Sequence, residues 1–294
     1  HCYLQKEPSN RIRLSINKFS KKHKFSYFDL REKKGFLRNL IIKNSSKGDL
    51  MVLMQFYENN KQNINLLMNH LKESFSEITS LLYTINQKAN STIYDQKIIL
   101  FHGKEYIQEE LDGLLFNVGA KSFFQTNSDQ ATILYRKTKE LANIKKNEVV
   151  YDLYTGTGTI AQYVANSAKK VIGIDSVNEG IEAAFINAKQ NNITNCSFYC
   201  GDMKEIFSEY FIKKNGHPDI IITDPPREGM HKKVVEQILK IKPNRIIYVS
   251  CNSATQARDI DILCRIYKVK KIQPVDMFPQ THHVENIVSL EIKH

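Results

Sequence analysis

Residues Glu148 to Tyr154 alternate polar and β-favouring apolar side chains and run without a break into Thr155-Gly156-Thr157-Gly158-Thr159. A helical pattern then covers Ile160 to Ala168. A strand, a glycine turn and a helix in that order constrain the fold more than any other stretch, because together they open a βαβ unit. Glycines at such a turn let the backbone approach a ligand that a Cβ would exclude, and the amides of the following helix N-terminus favour electron-rich groups. The next strand, Lys170 to Ile174, ends at Asp175, 19 positions after Gly156. In nucleotide-binding units an acid meets the ribose hydroxyls at an offset of roughly 20 residues. The third glycine of the dinucleotide fingerprint is missing, since Gln162 and Tyr163 follow instead. A nucleoside without a pyrophosphate, such as a methyl donor, therefore fits the turn better than NAD. On the glycines alone, a purely structural tight turn remains the competing reading.

After Asp175 the chain alternates. Strands are expected at Cys196 to Gly201, Asp219 to Asp224 and Arg245 to Cys251, and helices at Lys204 to Lys213, His231 to Ile241 and Ala254 to Cys264. Strand segments near Tyr267 to Val275 and Asn286 to Ile292 close the chain. Such alternation implies a mostly parallel sheet covered on both faces, with ligands at the carboxyl ends of its strands. One of those ends carries unusual chemistry. The apolar run from Arg245 stops on Ser250-Cys251-Asn252, with Asp224-Pro225-Pro226-Arg227 before it and His283-Val284-Glu285 after it. A thiol, a carboxylate and a proton acceptor are the groups needed around one reacting ring. The competing reading of Cys251 is a small buried hydrophobe, and that of Glu285 an exposed carboxylate at a strand start. His282, His283 and Glu285 as a metal cluster lack a further His or Cys at ligand spacing.

Residues from Lys121 onward resemble the uracil-C5 RNA methyltransferases of the RumA/TrmA type. Five stretches carry the resemblance, in the family's order: Ser122-Phe-Phe-Gln125-Thr-Asn127, the Gly156/Gly158 turn, Asp224-Pro-Pro-Arg227, Ser250-Cys251-Asn252, and Pro279-Gln-Thr-His-His-Val-Glu285. The resemblance implies an α/β fold, in which a Rossmann-like, seven-stranded methyltransferase domain dependent on S-adenosylmethionine (121–294) follows a smaller α+β, RNA-facing domain (1–120). The last strand would run antiparallel beside the fifth, bringing Glu285 to Cys251. The implied mechanism adds the Cys251 thiolate to uracil C6, so that an enriched C5 attacks the sulfonium methyl. Glu285 then withdraws the C5 proton and Cys251 is released. Burial alone raises a thiol pKa, so a compensating donor or dipole is required at the strand end, and the sequence does not identify it. By the same resemblance Gln125 reaches the base or cofactor, Tyr154, Gly156, Gly158 and Thr159 line the cofactor turn, and Asp175 holds the ribose. Asp224 borders both cofactor and uracil, and Asp202, just after the third strand, is counted with the cofactor-binding set. Thr159 stands where the family often has Asn. An aromatic residue in place of Arg227 would point to amino-group methylation; Arg227 argues for the carbon-methylating branch.

The balance of 42 Lys and Arg against 31 Asp and Glu gives +11, which suits a polyanionic partner. With RNA implied, Lys21, Lys22 and Lys24, and Arg31, Lys33 and Lys34, are candidate phosphate contacts, though such runs are more often solvated surface. No apolar run reaches the roughly 18 residues of a membrane span and no signal peptide is visible, so no membrane partner is expected. Cysteines at 2, 196, 200, 251 and 264 make no disulfide framework. Cys196 and Cys200, four apart on one strand, are about 13 Å apart by the strand rise, too far to bridge. A reducing cytoplasm is implied. The chain begins at His1 without a methionine, which reads as an N-terminally truncated protein. Relatives that bind a [4Fe-4S] cluster place their fourth cysteine at the start of the central domain, and Cys2 is a candidate for that ligand in the full-length protein. No metal site is expected within the chain itself. Cys2 also tilts the expected substrate toward 23S rRNA over tRNA, acted on by a monomer. The alternatives are a tRNA uracil-C5 methyltransferase, an amino-group methyltransferase that does not need Cys251, and a non-catalytic RNA-binding factor.

In the N-terminal part, Leu37 to Lys43 and Leu50 to Tyr57 flank Asn44-Ser-Ser-Lys-Gly48, a hairpin with turn chemistry. Ile64, Leu67, Met68, Leu71 and Phe75 mark a helix face that belongs to a core. Strands around Ile98 to Phe101 and Leu114 to Val118 lead to a helix from Ser128 to Leu141.

Overall fold

A computed structural model describes residues 2–3 and 5–293. The chain forms two compact units, His1–Glu110 with Asn117–Lys121, and Leu111–Phe116 with Ser122–His294.

The first unit contains α1 (Ser9–Lys22), β1 (Leu37–Asn44), β2 (Leu50–Phe56), α2 (Lys61–Ser74), β3 (Ser80–Ile85) and β4 (Ile99–Gly103). Its sheet runs β1-β2-β3-β4, parallel only between β2 and β3. The hairpin around Gly48 is present, and Gly48 takes φ +87°, the left-handed region glycine enters at low cost. All seven residues of central β2 are buried. Ile64, Leu67, Met68 and Leu71 of α2 and Ile12 and Ile16 of α1 cover it, so the stripe on α2 is core. Helix α1 is unmarked in the sequence because its buried side is thin and the rest is basic and polar. Lys21, Lys22 and Lys24 are exposed. The division between units falls within the ladder of β5 (Tyr106–Leu111) and β6 (Leu114–Gly119); β5 is a strand the pattern did not reveal.

The second unit continues with α3 (Ser128–Ala142), β7 (Val149–Leu153), α4 (Thr159–Ala165), β8 (Lys170–Asp175), α5 (Asn178–Gln190), β9 (Cys196–Cys200), α6 (Met203–Ile206) and α7 (Glu209–Asn215). There follow β10 (Ile220–Thr223), α8 (Lys232–Ile241), β11 (Arg245–Ser250), α9 (Ser253–Leu263), β12 (Tyr267–Val275) and β13 (Glu285–Ile292). Seven strands form one mixed sheet in the order β9-β8-β7-β10-β11-β13-β12. The first five are parallel, while β13 is antiparallel to both β11 and β12.

Period-two alternation along each strand builds a core on each face. Val150, Ile222, Val249 and Ile287 face Leu134, Ile160, Val164 and Ala184. Tyr151, Ile221, Tyr248 and Val288 face Phe207, Val234, Ile238 and Leu263. The two central parallel strands are buried on both sides, as helix-covered sheets require. The single helix expected over Lys204 to Lys213 is instead broken in two, because Asp202 caps α6 and Ser208 caps α7 with a bond from the Phe211 amide. Helix α5 starts behind Val177 with no side-chain cap and carries Gly180 in its first turn, so the usual start signals are missing. Among the described residues no helix is long and apolar enough to cross a membrane.

Candidate active site

The strand order turns the carboxyl ends of β7, β8, β10 and β11 toward one edge of the sheet, and each end delivers a residue singled out above. At the end of β7, Tyr154 takes φ +66°, Gly156 φ +56° and Gly158 φ +75°, a run of left-handed backbone that only glycine enters without strain. The two glycines serve different purposes. A Cβ on Gly156 would meet nothing within 4 Å, so its missing side chain leaves open space. At Gly158 it would stand 2.9 Å from the Ala184 Cβ and 3.0 Å from the Phe198 ring, so this glycine lets α4 pack against α5 and β9. Tyr154 lines the turn with its backbone, while its ring packs into the core beside α8 and its hydroxyl is bonded to the His231 backbone.

Carboxylates on this half are engaged by the protein. Asp175 Oδ2 accepts the Gly156 amide at 2.9 Å and Oδ1 the Val177 amide at 2.8 Å, so Asp175 pins the turn and keeps further lone pairs for a ligand. Asp152 Oδ2 accepts the Thr155 hydroxyl at 2.5 Å and the Ala161 amide at 3.0 Å, while Oδ1 is buried without a partner among the described residues. Burial pushes its carboxyl up to about 7. Thr159 shares a hydroxyl contact with Thr157 at 3.1 Å. Asp202 is half exposed at the end of β9, where it accepts the Lys204 amide and pairs with the Lys204 ammonium at 3.1 Å. That contact holds its pKa below the ordinary carboxylate value.

The other half is built differently. Antiparallel register places Ser250 opposite Asn286, so the next positions along each strand, Cys251 and Glu285, stand side by side. Gln256 fixes this junction by donating to Tyr248 O and Asn286 O and accepting from Asn286 Nδ2. Asn252 caps α9 and donates to Arg227 O at 3.0 Å, and Thr255 donates to the same carbonyl. The loop after Asp224 is thereby tied to the helix that follows Cys251. Asn127 caps α3 and also donates to Met277 O at 2.9 Å, which links the Gln125 segment to the loop before Glu285.

Polar ends on this half lack protein partners. Gln125 is 8 % exposed, yet its amide makes no hydrogen bond among the described residues. Asp224 and Glu285 likewise accept none there. Burial, then the Glu285 and Asp152 charges, raise the Asp224 pKa far above the carboxylate range. Burial raises Glu285 and the Arg227 charge opposes it. The Cys251 thiol is raised by burial and by Glu285 and Asp224, against a side-chain hydrogen bond and the charge of Arg227. Arg227 and the N-terminus of α9 are therefore the donor and dipole that a thiolate here requires. Sequence reasoning used Arg227 only to choose between chemistries. The usable signal was its place, three residues beyond Asp224 at the strand end next to Cys251. The Arg227 guanidinium also lies 3.5 Å from His283 Nδ1.

Cys2 is exposed, with its backbone held at both N–H and C=O by Asn10. Among the described residues no group of three or more His, Cys, Asp or Glu is placed to hold a metal ion.

Sheet order, glycine turn and strand ends together define the Rossmann-like fold of S-adenosylmethionine-dependent methyltransferases. The family model for tRNA (uracil-5-)-methyltransferase matches residues 47–293, and the chain belongs to that family. It is 52% identical over 295 residues to an uncharacterised RNA methyltransferase of Bacteroides thetaiotaomicron, covering 99% of this chain and 65% of the relative. It is 51% identical over 293 residues to another from Porphyromonas gingivalis, covering 98% and 63%. The chain thus spans just under two thirds of the length of these curated relatives. Among solved structures, the Pyrococcus abyssi tRNA (uracil-54, C5)-methyltransferase in complex with S-adenosyl-L-homocysteine is similar with a TM-score of 0.80 at 33% identity. That match covers 96% of this chain and 67% of the other.

Proposed function

We propose that this chain carries the catalytic part of an enzyme that methylates uracil C5 in RNA through a covalent bond between Cys251 and C6, with S-adenosylmethionine as donor. The observation that carries the reading is the pairing of Cys251 with Glu285 across the β11/β13 register, beside Asp224 and within reach of Arg227. An amino-group methyltransferase has no use for a thiol there. The donor fits the opposite half. Gly156 leaves open space where a side chain would stand, and Asp175, anchored by two amides, offers carboxylate lone pairs for vicinal hydroxyls.

In this mechanism Arg227 and the α9 N-terminus stabilise the Cys251 thiolate, which adds to C6 and makes C5 a carbon nucleophile. When bound, S-adenosylmethionine supplies the electrophilic methyl group. Glu285, raised by burial, accepts the C5 proton more readily than an exposed carboxylate. Loss of that proton re-forms the C5–C6 double bond and expels Cys251. Gln125 and Asp224, whose polar ends have no protein partners, suit the polar edge of a base. The first unit, with exposed Lys21, Lys22 and Lys24, faces the RNA in this reading.

23S rRNA is the favoured substrate, on the strength of exposed Cys2 as the fourth ligand of a cluster completed in the full-length protein. The tRNA reading is favoured instead by the solved neighbour, which is named for tRNA uracil 54. Mapping 5-methyluridine in both RNAs from cells with and without the gene decides. Loss from 23S rRNA supports the first reading and loss from tRNA the second. Unchanged 5-methyluridine in every RNA removes the proposed activity.

A further inference from the structure

Tyr135, on α3, belongs to none of the motifs above. It sits in the core with Ile222, Val249 and Ile287 and is 6 % exposed. Its ring lies 6.0 Å from that of Tyr163, and α3 packs against β11 and β13. Its hydroxyl has no hydrogen-bond partner among the described residues, yet it is not among the polar atoms sealed in the interior. A tyrosine hydroxyl this deep normally finds a partner, and leaving it without one is costly. Its neighbours on the helix show no such cost: Ala131 and Leu134 are apolar, and Thr138 donates to Leu134 O at 2.8 Å. Packing alone would be met by phenylalanine.

The surroundings of the hydroxyl indicate what it meets. Burial comes first, and then the charges of Asp224, Asp152 and Glu285, in holding the phenol in its neutral form, able both to donate and to accept. These three carboxylates come from the ends of β7, β10 and β13. A phosphate finds no counter-charge among these carboxyls and a neutral uracil gains little from their ionisation, whereas a cation lets them ionise and is favoured.

We propose that Tyr135 is part of the methyl-donor site, its hydroxyl contacting the cationic methionyl end of S-adenosylmethionine. The assignment rests on the function proposed above. Its test is Tyr135→Phe in the full-length protein, with S-adenosylmethionine and S-adenosylhomocysteine titrated calorimetrically without RNA and thermal unfolding recorded without ligand. Loss of one hydrogen bond to a charged group weakens S-adenosylmethionine binding about tenfold or more. The ligand-free melting temperature stays level or rises, because the deleted hydroxyl bonds to nothing in the protein. A larger loss for S-adenosylmethionine than for S-adenosylhomocysteine puts the hydroxyl at the sulfonium, and an equal loss puts it at the shared ammonium group. Unchanged affinity in the variant, with wild-type binding intact, overturns the assignment alone. A lowered melting temperature with unchanged affinity makes Tyr135 structural. A wild-type protein that binds no S-adenosylmethionine overturns the function proposed above, and the assignment with it.

Discussion

The two halves of the strand-end edge treat their carboxylates in opposite ways. On the β7/β8 half, Asp175 accepts two backbone amides and Asp152 a hydroxyl and an amide. On the β10/β11/β13 half, Asp224 and Glu285 accept no hydrogen bond from the described residues, although burial raises both. The first half is shaped by backbone, which engages its carboxylates, although Asp152 Oδ1 is buried without a partner among the described residues. The second keeps charged and polar groups unsatisfied, a cost that only a substrate able to pair with them offsets. Donor binding should therefore respond mildly and locally to substitution, whereas chemistry on the second half should respond in an all-or-none way.

The largest effect falls on the second half. Cys251→Ala should reduce uridine methylation to background. It should also abolish the denaturation-resistant complex that forms with 5-fluorouridine RNA and S-adenosylmethionine, in which Glu285 has no C5 proton to remove. Glu285→Gln should accumulate a methylated adduct on ordinary uridine, seen as a shifted band on a denaturing gel. Methylation at C5 by Cys251→Ala protein would remove the nucleophile assignment.

Next comes the cation that balances this half. Arg227→Ala removes the hydrogen bond and charge that oppose burial at Cys251, so the thiol pKa rises further. The thiolate fraction near neutral pH falls about tenfold for each unit. Iodoacetamide labelling of Cys251, followed by peptide mass mapping to separate it from exposed Cys2 and Cys200, should slow accordingly and recover as pH is raised. Equal labelling rates at every pH would assign the thiolate to the α9 dipole instead.

How much of this was legible in the sequence follows the same divide. Strand alternation fixes which residues end each strand, and the antiparallel last strand expected from the resemblance is present, its register pairing Ser250 with Asn286, one step from Cys251 and Glu285. Legibility failed where a signal depends on something outside its own segment. Helix α5 has no capping residue to announce it, and α1 hides two buried apolar positions, Ile12 and Ile16, in a basic stretch. Gly158 reads as a ligand-approach glycine, but its crowding by Ala184 and Phe198 is a property of packing. Tyr135, ten residues past Gln125 on a helix, has no local pattern separating it from core.

A smaller effect is expected on the donor half. Asp175→Ala should weaken S-adenosylmethionine by about 1–3 kcal/mol, the scale of a charge-assisted hydrogen bond, measured by calorimetry. The Gly156 and Val177 amides lose their acceptor as well, so hydrogen exchange at those amides should quicken while the rest of the fold keeps its protection. Unchanged affinity would take Asp175 out of the donor site and leave it a turn-pinning residue.

The smallest effect tests the contrast without any ligand. Because the folded-state pKa of Asp224 is raised above its unfolded value, by burial first and then by Glu285 and Asp152, the unfolded chain ionises more easily than the folded one. The group does least harm below about pH 4, where it is protonated in both states. Its burden grows as pH rises through the ordinary carboxylate range toward the folded value. Asp224→Asn keeps the shape and removes the charge. It should stabilise the ligand-free protein by about 1 kcal/mol at neutral pH, a rise of about 2–4 °C in melting temperature, and the gain should fade as the scan is repeated toward pH 4. The matching test on the first half is Asp152→Ala, which removes the oxygen that accepts both the Thr155 hydroxyl and the Ala161 amide and should lower stability. If both substitutions shift stability in the same direction, the two halves are not built on different terms.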